Sequence, residues 1–238
     1  MKYAITTLIL FTFILCNAQT MRVTYTEKTD LTEKLESIDN PMIKQKIIEK
    51  AGKPKYYELI SNNGNSIYHK QIVEEEDIDN GVTMIGIEGE DIIYKNHSQN
   101  LYVRQTDFMS RTFLIEDTLQ QSNWEIFDGV LKIGDYQCKK ATSKKGDNDI
   151  IAWFTNEVPS NEGPRNFYGL PGLILKVETG TLIIEATNIS ISKDKATIQK
   201  PTKGKKVTQE EFDKIRKEKI NGLTGDKQKG NGVQVIKM

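Results

Sequence analysis

The chain has 238 residues, and its 33 Lys plus Arg balance 33 Asp plus Glu. A chain with no net charge lacks the basic excess that draws proteins to nucleic acid or anionic lipid, so no nucleic-acid partner is expected. Two cysteines and two histidines exclude a disulfide-stapled scaffold and a histidine-rich metal site.

The N-terminus reads MKYAITTLILFTFILCNAQT. Lys2 gives a positive start, Tyr3 to Leu15 is almost unbroken apolar sequence, and Ala18 offers a small residue before Gln19. That is the pattern of a cleavable export signal over residues 1–18. After it, no apolar run approaches the ~20 residues of a membrane span. Cys16 opens a second reading, a lipid-modified cysteine, but Leu15 stands where such signals want a small residue, and a soluble exported form is favoured. Periplasm, outer-membrane association and secretion all remain open. With the leader removed, Cys138 is the last cysteine and forms no internal disulfide. It reads as a small buried hydrophobe in preference to a reactive thiol.

Residues 22–28 alternate, with Val23, Tyr25 and Glu27 on one face, which predicts a half-buried strand. Asn40-Pro41 caps a helix carrying Ile43, Ile47 and Ile48, stopped by Gly52 and Pro54. This helix is expected to cover one face of a sheet. From 55 to 191 the texture is β. KYYELISN and SIYHKQIV flank Asn62-Asn63-Gly64-Asn65, a hairpin. Further strands are expected over 91–95, 101–106 and 112–117. Two more hairpins pair 136–143 with 149–155, and 173–178 with 182–191. Strands that follow one another without helices favour an antiparallel meander over a βαβ sheet.

The fold expected is a wide, curved antiparallel sheet, half-barrel-like, with a covering helix; a closed barrel or a β-sandwich is the alternative. The β domain is expected over residues 19–200. Residues 201–238 read as a polar tail, with a short helix near 208–220 opened by the capping-box pattern Thr208 to Glu211.

Catalytic motifs fail in turn: there is no HExxH, C-x-x-C, G-x-S-x-G or Walker loop. Ser190-x-x-Lys193 matches S-x-x-K, but at a strand end and without its companion motifs. His69 and His97 have no evident third ligand and are expected to be exposed or locally bonded. Asp77 to Gly81 resembles the start of a calcium loop, with its glycine one position early. No metal and no cofactor are expected.

The unusual segment is residues 153–177, WFTNEVPSNEGPRNFYGLPGLILKV. It sets Pro159, Pro164 and Pro171 among Gly163, Gly169 and Gly172, around Phe167, Tyr168 and Leu170. Proline fixes φ and glycine permits positive φ, so the loop has a restricted shape. Either it plugs one end of the sheet with Trp153 in the core, or it rims a pocket or docks a partner. In the second case Arg165 is its one cation, beside the aromatics. Glu157 and Glu162 flank the loop as a candidate acid–base pair, although both are expected in solvent.

Gly169-Leu170-Pro171-Gly172-Leu173-Ile174 spells GLPGLI. On this run the chain resembles the GLPGLI family, secreted proteins of Gram-negative bacteria with no established function. The likeness extends to Trp153-Phe154-Thr155, Pro159, Gly163-Pro164 and Phe167. It also takes in Gly134, Tyr136, Cys138, Lys140-Ala141, Pro201 and Gly204-Lys205. It spans residues 124–205 and implies neither an activity nor catalytic residues.

The function expected is therefore non-enzymatic binding of an apolar or peptide ligand, in a cavity near Trp124, Trp153 and Phe167. The expected fold is similar to the half-barrel of periplasmic lipoprotein carriers. The alternative is a structural module that docks an envelope protein through the Pro/Gly/aromatic loop.

Overall fold

The computed structural model describes residues 19–31, 35–36, 38–51, 53–71, 91–146, 148–194 and 196–225. The leader (1–18), Gly52, the acidic run with its calcium-like motif (74–81) and residues 226–238 lie outside the described residues. Twelve strands form one open, curved sheet. They are β1 (Thr20–Thr29), β2 (Lys55–Asn62), β3 (Asn65–Lys70), β4 (Asp91–Asn96), β5 (Leu101–Phe108), β6 (Arg111–Thr118), β7 (Glu125–Ile133), β8 (Tyr136–Lys145), β9 (Asn148–Thr155), β10 (Leu173–Thr179), β11 (Leu182–Ser192) and β12 (Lys205–Val207). Among the described residues the longer helices are α1 (Pro41–Ala51) and α2 (Gln209–Gly225).

The spatial order is β12-β6-β5-β4-β3-β2-β1-β11-β10-β9-β8-β7. β1 is central. The chain steps outward from it to β6, then starts again at the far edge with β7 and steps back to pair β11 with β1. Neighbours are antiparallel except β12, which lies parallel to β6. The wide antiparallel sheet is as expected, and it does not close into a barrel. The β2–β3 turn is the hairpin read from the sequence, with Asn63 at φ 50° and Gly64 at φ 75°, the left-handed pair that a two-residue turn requires.

One face carries the main core. Val23 and Tyr25 on β1 pair with Leu59 and Tyr57 on β2, and Leu59 pairs with Tyr68 on β3. All five are buried. The register carries this inner face on through Ile93 and Lys95 of β4 to Arg104 of β5 and Ile115 of β6.

Two corrections concern the cover. The expected covering helix, α1, is capped as read, with Met42 N and Ile43 N donating to Asn40 Oδ1. Yet Met42 is 72% exposed, and Ile43 and Ile48 are half exposed, so its apolar residues do not seal the sheet. The helix that does pack on the inner face is α2, where Phe212 meets Phe108 and Phe113 edge-on. The supposed tail is thus structural from β12 to the end of α2. Its capping box forms as read: Glu211 N donates to Thr208 Oγ1, and Thr208 N to Glu211 Oε2. The helix continues past 220 to Gly225. No described helix is long and apolar enough to cross a membrane.

Trp153 is also corrected. Strand alternation turns Ala152 and Phe154 into the core and leaves Trp153 half-buried. Its cross-strand neighbours are Lys140 and Lys176. Phe154→Ala should therefore cost about 3–5 kcal/mol in urea unfolding, and Trp153→Ala distinctly less. Equal losses would place both rings in the core.

Candidate functional site

The segment between β9 and β10 folds back over the inner face and is fixed there by its own backbone. Gly169 N donates to Asn161 O at 2.8 Å and Ile174 N to Glu162 O at 3.0 Å. Trp124 Nε1 donates to Tyr168 O at 2.9 Å, and Tyr25 OH to Ile174 O at 2.7 Å. Phe167, Tyr168, Leu170 and Pro164 are buried; of the loop residues singled out in the sequence, Pro159 and Pro171 are exposed. The loop is the plug, and its apolar side chains fill the space near Trp124 and Phe167 where a cavity was expected.

Two of its glycines are held for different reasons. Gly169 sits at φ +90°, a conformation L side chains rarely adopt. Gly172 needs closeness: a Cβ there would lie 2.1 Å from Thr155 O. Gly172→Ala should lower the melting temperature by several degrees, because rigid backbone must move. An unchanged melting curve would contradict the close approach.

Charge fixes the loop as well. Glu162 is 2% exposed, not in solvent as expected. Its carboxylate meets Lys95 Nζ at 2.6 Å and His97 Nε2 at 2.7 Å. Lys95 is fully buried. It also donates to Gly163 O at 3.2 Å and lies 5.7 Å from the Tyr168 ring centroid. A cation does lie over a loop aromatic, and it is Lys95 of β4 over Tyr168. His97 is bonded across 65 residues of sequence rather than locally. Burial pushes the Glu162 pKa upward, but the Lys95 ammonium and the His97 hydrogen bond outweigh it and bring it to about 2.

Arg165, at φ 51°, forms a fork with Glu27: Nε donates to Oε1 at 2.7 Å, and Nη2 to Oε2. Tyr68 OH completes the carboxylate at 2.8 Å. A second fork lies on the same face, Arg104 Nε and Nη2 to Asp91 at 2.6 and 2.8 Å. Tyr57, stacked on Tyr68 at 5.1 Å, and Tyr102 lie on the same inner face by register. Burial pushes both hydroxyls up to about 12, so they stay protonated at neutral pH.

The carboxylates Glu157 and Glu162 do not face each other. Glu157 is exposed and accepts from Gln137 N, while Glu162 is taken up by Lys95 and His97. Cys138 is buried, and burial pushes its thiol up to about 11, the state of an inert cysteine. Sequence reasoning missed Lys95, His97 and Glu27 as one network with the loop. The legible signal was Lys95 at an inward position of β4, two residues after Ile93.

A family model described as "Protein of unknown function (Porph_ging)" matches residues 143–176, the stretch from the end of β8 through the loop into β10. No curated protein matches the chain. Among solved structures, the chain is similar to PNGF-II in two crystal forms, C2 and P21. Sequence identity is 17%, and the TM-scores are 0.53 and 0.54. The likeness covers 83% of this chain but 32% and 33% of those. The chain therefore spans about a third of PNGF-II, and the likeness is one of fold.

Proposed function

We propose that this chain is an exported, non-enzymatic binding module of the GLPGLI type, which meets its ligand on the open floor of the inner face. The leader-like residues 1–18 support export, to the periplasm, the outer membrane or the medium. The GLPGLI run lies inside the matched stretch 143–176. The observation that carries the reading is the inward fold of the loop. With Phe167, Tyr168 and Leu170 buried, the segment that looked like a contact surface instead shapes one. With Arg165 on it, the segment forms a wall on the face that carries Tyr57, Tyr102 and Arg104. Glu157 and Glu162 point to separate partners, which favours binding over acid–base chemistry.

The second reading is an envelope module that docks a protein. Edge strand β7 favours it, because Ile126, Phe127 and Val130 are exposed there, but the loop itself offers little apolar surface. Native mass spectrometry of the protein purified from its own envelope separates the two. A co-purifying compound lost in a Tyr57→Phe/Tyr102→Phe variant supports the binding module. A bound protein that survives that variant and is lost in Phe127→Asp/Val130→Asp overturns it in favour of docking.

A further inference from the structure

Among the described residues, two-residue turns join five pairs of neighbouring strands. Four of these turns place a glycine in the left-handed region: Gly64, Gly134, Gly146 and Gly180. The fifth, between β5 and β6, does not. There Phe108 pairs with Arg111 across Met109 and Ser110, at φ 50° and 61°. Left-handed backbone at both central positions suits such a turn, but a long side chain in that region is a steric outlier. Conformations of this kind persist where the surroundings hold them, and they cluster at functional positions.

What surrounds this one is the seat of α2. Met109 is half-buried against the cluster of Phe108, Phe113, Ile115, Val207 and Phe212. Phe212 is the one buried side chain of α2 among the described residues, with Ile215 and Ile220 half-buried beside it. Its ring meets Phe113 at 5.3 Å and Phe108 at 6.0 Å. One buried ring is a small hold for a helix of 17 residues, since helices owe most of their stability to packing. Met109 adds to that hold from the sheet side, where a flexible thioether fills gaps beside aromatic rings.

Methionine differs from the rest of the cluster in that its sulfur can be oxidised. With hydrogen peroxide the O–O bond breaks, one oxygen joins the sulfur, and the other leaves as water. The sulfoxide is polar and poorly suited to an aromatic cluster. Of the other described methionines, Met21 is buried in the main core and Met42 is 72% exposed.

We propose that the β5–β6 turn is an oxidation-sensitive latch, in which Met109 holds α2 on the inner face and its sulfoxide lets the helix go. Ile115 of the cluster stands opposite Arg104, so release of α2 uncovers the inner face beside Arg104. The latch is independent of what that face binds.

The test is hydrogen–deuterium exchange of the purified protein before and after hydrogen peroxide, with peptide mass spectrometry to locate the added oxygen. Once Met109 is oxidised, the α2 amides should exchange faster by roughly tenfold or more, while those of β9 keep their protection. Met109→Leu conserves volume and should leave α2 protected after the same treatment, although Met42 is oxidised. Met109→Asn/Ser110→Gly suits the turn better but removes the thioether, so its α2 should exchange faster without any peroxide. Four results each overturn the assignment: unchanged α2 exchange with Met109 oxidised, a Met109 that stays reduced while Met42 is oxidised, the same loss of protection in treated Met109→Leu, or an equally or better protected α2 in the double variant.

Discussion

Glu162→Ala is expected to destabilise the protein by about 3–5 kcal/mol, the loss typical when one partner of a buried ion pair is removed. Lys95 is fully buried and would keep its ammonium in the interior with no counter-charge, only Gly163 O and the Tyr168 ring beside it. Against a typical domain stability of about 5–15 kcal/mol, such a loss approaches unfolding. The companion variant is Lys95→Met/Glu162→Leu, which removes both charges and keeps most of the volume. It should recover much of the stability, because a buried pair often contributes little net against apolar groups of similar size. Urea unfolding of both variants checks this. A Glu162→Ala variant as stable as the parent would mean that the carboxylate is not holding the loop.

The second large effect is on pH. Glu162 titrates near 2 in the folded protein against an ordinary 4.5. A depressed carboxylate pKa gives stability that is fully present above the unfolded value and lost as pH falls through the folded one. The contribution is about 3 kcal/mol, so stability should fall steadily from about pH 4.5 to about pH 2. In Glu162→Gln that part of the fall should disappear. If the two proteins lose stability in parallel over that window, other carboxylates govern acid unfolding.

The acid window and the mutational loss share one cause: the loop is bound to the sheet through the buried Lys95–Glu162 pair. Apolar packing by Phe167 and Leu170 seats it, and Tyr25, Trp124 and Gln121 bond its carbonyls. The ion pairs add directional constraint to that packing. Arg165 illustrates this, since its left-handed backbone puts the guanidinium squarely on Glu27.

Much of the sheet was legible because alternation and turn residues are local signals. Val23, Tyr25 and Glu27 declared the inner face of β1, and Asn63-Gly64 declared the type of the β2–β3 turn. Strand β7 was illegible for a physical reason: its register shifts between Phe127 and Val130, and Asp128-Gly129 breaks the alternation there. Trp153 misled because both faces of β9 are apolar, so size pointed to the wrong phase. The cover was misassigned because three isoleucines at helical spacing look buried, whereas the real cover is α2, through Phe212 with Ile215 and Ile220 beside it. The Glu162 network lies beyond local reading altogether. A glutamate among prolines and glycines looks solvated, and its partners stand more than sixty residues away. A lysine on an inward strand position was the one hint.

Hydrogen–deuterium exchange on the full chain tests the inward loop most directly. The amides of Gly169 and Ile174 are bonded to Asn161 O and Glu162 O. They should exchange as slowly as the amides of β9, and the Glu162→Gln variant should speed them selectively. Fast exchange of both amides in the unmodified protein would contradict the account. The loop would then be a surface segment, free to dock a partner, and the floor would lose its wall.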